Sequence, residues 1–163
     1  MKHISFCLFF LSLFFVGCFN KTKQGDSVVE DVKAKAKARM KTIVLPEAED
    51  KRTLEAAQQI KKEGFANLIL LGNKETVEKD ARNYGFDVSG IEVVDPKTSP
   101  SLDDYVATLV ELRKSKGMTE EEARKLLTES NTYFAVMMVK KGDADGLVSG
   151  ACHSTADTLR PSL

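Results

Sequence analysis

Residues 42–72 read TIVLPEAEDKRTLEAAQQIKKEGFANLILLG, and this stretch decides the fold. Thr42-Ile43-Val44-Leu45 is a short apolar run closed by Pro46, the pattern of a buried strand. Asp50 is placed to cap a helix over Lys51 to Glu63, with Leu54, Ala57, Ile60 and Lys61 at helical spacing and Gly64 as its stop. Leu68-Ile69-Leu70-Leu71 repeats the strand pattern and ends at Gly72. A strand, a helix and a second strand within 31 residues form one βαβ unit, and such units build parallel sheets.

The alternation continues on both sides. Upstream, Val28 to Arg39 (VVEDVKAKAKAR) is charged, alanine-rich and helix-prone. Downstream, a helix is expected over Lys74 to Tyr84 with Gly85 as its stop, and a third strand over Ile91 to Val94 before Asp95-Pro96. A helix over Leu102 to Lys116 should stop at Gly117, and Thr119 with Glu122 makes a capping box for a helix reaching Glu129. Thr132 to Lys141 reads as an apolar helix, Gly142 to Asp145 as a turn, and Gly146-Leu147-Val148 as a fourth short strand. The fold class is therefore α/β, a three-layer α/β/α domain on a parallel sheet.

Composition narrows the function. The 163 residues carry 24 basic and 24 acidic side chains, and 42% are hydrophobic. A core can form, and a balanced charge with a pI near 6.7 provides no basic field for nucleic acid. The cysteines are Cys7, Cys18 and Cys152. No disulfide framework is available in the body and no CxxC spacing exists; His153 is the only histidine past residue 3, which excludes a multi-histidine metal site.

The first nineteen residues differ from the rest, holding six of the nine phenylalanines. Lys2 and His3 precede an apolar run from Ile4 to Val16, about 20 Å long as a helix. That is short for a bilayer span and suits a signal-peptide core. The run ends in Phe15-Val16-Gly17-Cys18, which resembles a bacterial lipobox with Cys18 as the lipidated residue. The expected organisation is a leader over 1–17, a polar tether over 18–27 and the α/β domain over 28–163. A buried core helix, or a mis-assigned start joined to an ordinary domain, is the competing reading.

Ligands of open parallel sheets bind beyond the carboxyl ends of the strands. Three segments lie there. Pro46-Glu47-Ala48-Glu49-Asp50 reads either as a ligand-facing acidic turn or as an acidic helix start that complements the dipole. Asp95-Pro96-Lys97 reads as a plain turn. Ser149 to Arg160 is the richest, with Ser149, Gly150, His153, Ser154, Thr155 and Arg160 at one strand exit. Backbone N–H groups and hydroxyls at such a junction favour phosphate, and Arg160 offers a bidentate partner. The alternative is a capped helix start, with Ser154 or Thr155 as N-cap and Asp157 in the first turn. No GxGxxG, GxSxG or GxxxxGK[ST] motif occurs.

The segments KTIVLPEAEDKRTLEAA, NLILLGN, VVDPKT, ELRKSKGMTEEEA and YFAVMMVKKGDADGLVSGACHSTADTLRP together resemble the phosphate acetyl/butyryl transferase family, over about Lys41 to Leu163. DTLRP and ELRK favour its acetyltransferases, with a butyryl-type acyltransferase as the neighbouring reading. The resemblance implies the reaction acetyl-CoA plus phosphate giving acetyl phosphate plus CoA. It implies no metal, no tightly bound cofactor and no covalent acyl-enzyme, with coenzyme A as substrate. It also implies two α/β domains around a cleft and a homodimer of the completed protein. Arg113 and Arg160 match family arginines at the cleft, and the loop from Ser149 to Thr158 matches the cleft wall. The resemblance assigns the catalytic base to a segment of the second half, so the chain is expected to be an N-terminal part, inactive alone. Acetyl-CoA chemistry points to the cytoplasm, and the leader to a lipid anchor at the cell membrane. A lipid-anchored binding module without catalysis is the alternative from another class.

Overall fold

The computed structural model describes residues 24–162. The leader, Cys18 and the first part of the tether lie outside the described residues. Four strands, β1 (Thr42–Leu45), β2 (Asn67–Leu71), β3 (Glu92–Val94) and β4 (Gly146–Leu147), form one sheet in the order β3-β2-β1-β4. Every pairing is parallel; Val44 lies opposite Ile69 on one side and Leu147 on the other. The two central strands are buried on both faces, which is why they read as continuous apolar runs.

Side-chain alternation divides these strands between two cores. Val44, Ile69 and Leu71 face α4 (Leu102–Leu112), α5 (Glu120–Glu129) and α6 (Asn131–Lys141), where Tyr105, Leu127, Phe134 and Met137 are fully buried. Leu45, Leu68 and Leu70 face α2 (Lys51–Glu63) and α3 (Lys74–Tyr84) through Leu54, Ala57, Val77 and Ala81. Helices therefore cover both sides of the sheet, the three-layer arrangement expected. The remaining helices are α1 (Gln24–Ala38) ahead of the sheet and α7 (Thr155–Leu159) after β4. No helix among the described residues is long and apolar enough to cross a membrane.

Local signals account for most of the boundaries. Asp50 Oδ1 accepts from the Arg52 backbone N–H at 2.8 Å, and Gly64 ends α2 at φ 65°, a conformation other residues adopt at a cost. Thr119 and Glu122 form the expected capping box of α5. One boundary differs in a way that matters for the site. The helix expected through Lys116 ends at Leu112, and Lys114–Lys116 continue as a tighter 3₁₀ turn up to Gly117. Beyond Leu109 α4 has no buried residue, and Leu112 itself is 51% exposed, so packing no longer holds the wider α geometry. Arg113 sits at this break rather than inside a helix. Strands β3 and β4 each lose one expected residue, Ile91 and Val148, both at the sheet edges.

Candidate functional site

The β1 and β4 exits meet, and Glu47 joins them. Its carboxylate is 2% exposed. Oε2 accepts from the backbone N–H groups of Gly150 and Ala151, both at 2.8 Å. Oε1 accepts from those of Cys152 and His153, both at 3.2 Å, and lies 2.9 Å from the His153 Nδ1. Burial alone pushes the Glu47 carboxyl up; the backbone donors of Ala151, Cys152 and His153, with the His153 ring, outweigh it and hold the group at about 2. Arg52 braces the same junction, pairing with Asp50 through Nε and Nη2 and donating to the Ala151 carbonyl. Glu47 thus fixes residues 150–153 in one shape.

This arrangement corrects one expectation. The backbone N–H groups of residues 150–153, read from sequence as donors for phosphate, are already taken by Glu47. The acidic turn after β1 is more than a dipole partner: its first carboxylate, Glu47, is an internal anion that organises the loop, while Glu49 lines a cleft. The sequence marks Glu47 within a candidate turn but not this role, because its partners lie 103–106 residues away. The only local signal was an acidic residue directly after a strand-closing proline.

The candidate residues then divide between two clefts. His153 and Arg160 line one of about 420 Å³, together with Glu49, Asp157 and the first residues of α6. Ser149 and Gly150 line another of about 360 Å³, against Leu45, Arg52 and Ala56. The Ser149 hydroxyl is buried with no hydrogen-bond partner among the described residues. Ser154 acts as the N-cap of α7: its Oγ accepts from the Asp157 N–H at 3.2 Å and donates to the Asp157 carboxylate at 2.6 Å. The helix-start reading therefore holds for Ser154, and Thr155 is the exposed first residue of that helix. Arg113 comes near Arg160, its Nη2 donating to the Arg160 carbonyl at 3.5 Å. Asp95 closes a tight turn by accepting from the Lys97 N–H at 2.9 Å, as its plain reading required.

The larger cleft has mixed electrostatics. No side chain caps the N-terminus of α6, and Asn131 instead donates to the carbonyls of Pro46 (3.0 Å) and Leu71 (3.4 Å). The helix start and Arg160 favour an anion. Glu49, Glu129 and Asp157 on the same wall oppose one. Cys152 is a poor nucleophile here: burial of its thiol and the charges of Glu49, Glu47 and Asp50 push it up to about 11.

Comparison with known proteins adds ancestry to this geometry. A family profile described as phosphate acetyl/butaryl transferase matches residues 27–163. A phosphate acetyltransferase of Thermoanaerobacterium thermosaccharolyticum is 48% identical over 137 residues, covering 84% of this chain and 41% of that protein. One from Acetivibrio thermocellus is also 48% identical over 137 residues, with 84% and 40% covered. The crystal structure of a phosphotransacetylase from Streptococcus pyogenes superposes with a TM-score of 0.79 at 40% identity, covering 85% of this chain and 41% of that one. The chain spans about two-fifths of the length of these relatives.

Proposed function

The chain belongs to the phosphate acetyl/butaryl transferase family, and on that premise we propose that it carries one wall of a phosphate acetyltransferase site, with no base for the CoA thiol placed among the described residues. The reaction is acetyl-CoA plus phosphate giving acetyl phosphate plus CoA. The observation that carries the reading is Arg160, which shares a cleft with His153 of the loop locked by Glu47 and whose backbone carbonyl accepts from the Arg113 side chain. Arg160, in the cleft that the uncapped start of α6 also lines, with Arg113 against its backbone, supplies the cationic side of a site for phosphate or for the phosphates of CoA. The three carboxylates on the same wall keep that attraction weak. Ser149 and Gly150 contribute backbone shape on the far side of the loop, while His153, Ser154 and Thr155 form its rim.

Acyl transfer also needs a base at the thiol. His153 is the one imidazole among the described residues, and it is held between Glu47 (2.9 Å) and Glu49 (3.5 Å). Both carboxylates draw the ring into the loop, so we assign it a structural role. In this reading coenzyme A is a substrate, not a resident cofactor. The two readings of location stand apart: acyl-CoA chemistry favours the cytoplasm, and lipidation at Cys18 would put the domain at a membrane. The test of the reaction is thiol release from acetyl-CoA on adding phosphate. The chain alone should release none. Turnover that disappears in His153→Ala would make His153 the base and overturn the assignment.

A further inference from the structure

We propose that Glu47, Cys152 and His153 form a metal site, and that zinc is the ion their chemistry selects. The Glu47 carboxylate, the Cys152 thiol and the His153 imidazole bring one ligand atom each to within 4.8 Å of one another. Cys152 Sγ is 3.8 Å from Glu47 Oε1 and 3.9 Å from His153 Nδ1, and Nδ1 is 2.9 Å from that oxygen. A tetrahedral zinc, with bonds of about 2.3 Å to sulfur and about 2.0–2.1 Å to nitrogen and oxygen, separates its ligands by roughly 3.3–3.6 Å. The three edges found bracket that range, so shifts of a few tenths of an ångström seat the ion. One sulfur, one nitrogen and one oxygen suit zinc. They do not suit magnesium or calcium, which take oxygen alone.

The surroundings support the same ion. Four backbone N–H groups fix the Glu47 carboxylate, so one ligand is held before any metal arrives. With the metal on Nδ1, the ring proton resides on Nε2, which lies 3.5 Å from Glu49 Oε1. That is the carboxylate–histidine–metal relay that orients ligating imidazoles. Binding breaks the S–H bond and forms a sulfur–metal bond, and the proton leaves to solvent. The thiolate and the Glu47 carboxylate then neutralise the two charges of the ion. Cys152 and His153 are exposed, so the fourth position opens to water. Cysteine and histidine spacing could not reveal this site, because its third ligand leaves the sheet at β1. The site stands independently of the acyl-transfer reading.

The test uses the full chain, freed of metal by a chelator and titrated with cobalt(II) as a spectroscopic probe. A thiolate-to-cobalt charge-transfer band in the near ultraviolet and visible bands of tetrahedral intensity are expected, both bleached by one equivalent of zinc. Cys152→Ala should lose the charge-transfer band, and the Cys7→Ala/Cys18→Ala double variant should keep it. Glu49→Gln should retain the spectrum and weaken zinc binding by about 10–100-fold. Circular dichroism matched to wild type secures the comparison, and His153→Ala gives a second ligand deletion. Absence of a charge-transfer band in the wild type, or the same band in Cys152→Ala, would overturn the site.

Discussion

Replacing Glu47 by glutamine keeps the shape of the side chain and removes its charge. The carboxylate presents acceptors in both directions, toward Gly150 and Ala151 from one oxygen and toward Cys152 and His153 from the other. An amide presents one oxygen and one NH₂, so in either orientation two backbone N–H groups face a donor. Losing two hydrogen bonds to a charged acceptor costs about 3–6 kcal/mol at about 1.5–3 each. The acidity of the group leads to a similar figure. Its carboxyl lies at about 2 against an ordinary 4.5, which at about 1.36 kcal/mol per pH unit is worth about 3 kcal/mol. The folded value is depressed, so this stability is fully present above 4.5 and is lost as pH falls toward 2. The assay is urea unfolding of the wild type and Glu47→Gln. At pH 7 the variant should be about 3 kcal/mol less stable, and near pH 3.5 the gap should narrow to about 2 kcal/mol, because the unfolded carboxyl is then mostly protonated. Faster hydrogen exchange at residues 150–153 should accompany the loss. A difference under about 1 kcal/mol at pH 7, or a gap that does not move with pH, would refute the reasoning.

Asn131→Ala removes the donor shared by the Pro46 and Leu71 carbonyls at the exits of the two central strands. It should cost about 1–3 kcal/mol in urea unfolding, and a cost below about 0.5 kcal/mol would place those carbonyls in water instead. If Cys18 is acylated, labelled fatty acid should enter the wild type in a bacterial host and be absent from Cys18→Ser. Equal labelling of both, or of neither, would end the anchor reading.

Much of the fold was legible because its signals are local. The bounds of β1, α2 and α3 follow from an apolar run, a capping Asp50 and the stops Gly64 and Gly85, all within a few residues of the boundary they set. The break in α4 was not legible, since it depends on where the core ends beneath Leu109 rather than on any breaker near Leu112. The site was half legible. A loop dense in polar and small residues marked Ser149 to Arg160, and the structure does bring Arg113 to Arg160. What organises that loop is a buried anion at the exit of the neighbouring strand β1, 103–106 residues away in sequence, and no spacing within residues 149–160 encodes Glu47. A sequence shows that backbone donors exist at a strand exit; only the fold shows that they are already occupied.

The central proposal is that Arg160 draws CoA or phosphate to this wall in spite of the three carboxylates beside it. Calorimetric titration of CoA into the folded, monomeric chain tests it most directly, with Arg160→Ala alongside. Weak binding is predicted that falls as salt rises, because the cleft is open to solvent. At about 1.5–3 kcal/mol for a well-formed charge-assisted contact, the Arg160→Ala variant should bind about tenfold more weakly or worse, at about 1.4 kcal/mol per decade. A folded chain that binds CoA equally well with and without Arg160, or whose binding ignores salt, would contradict the account.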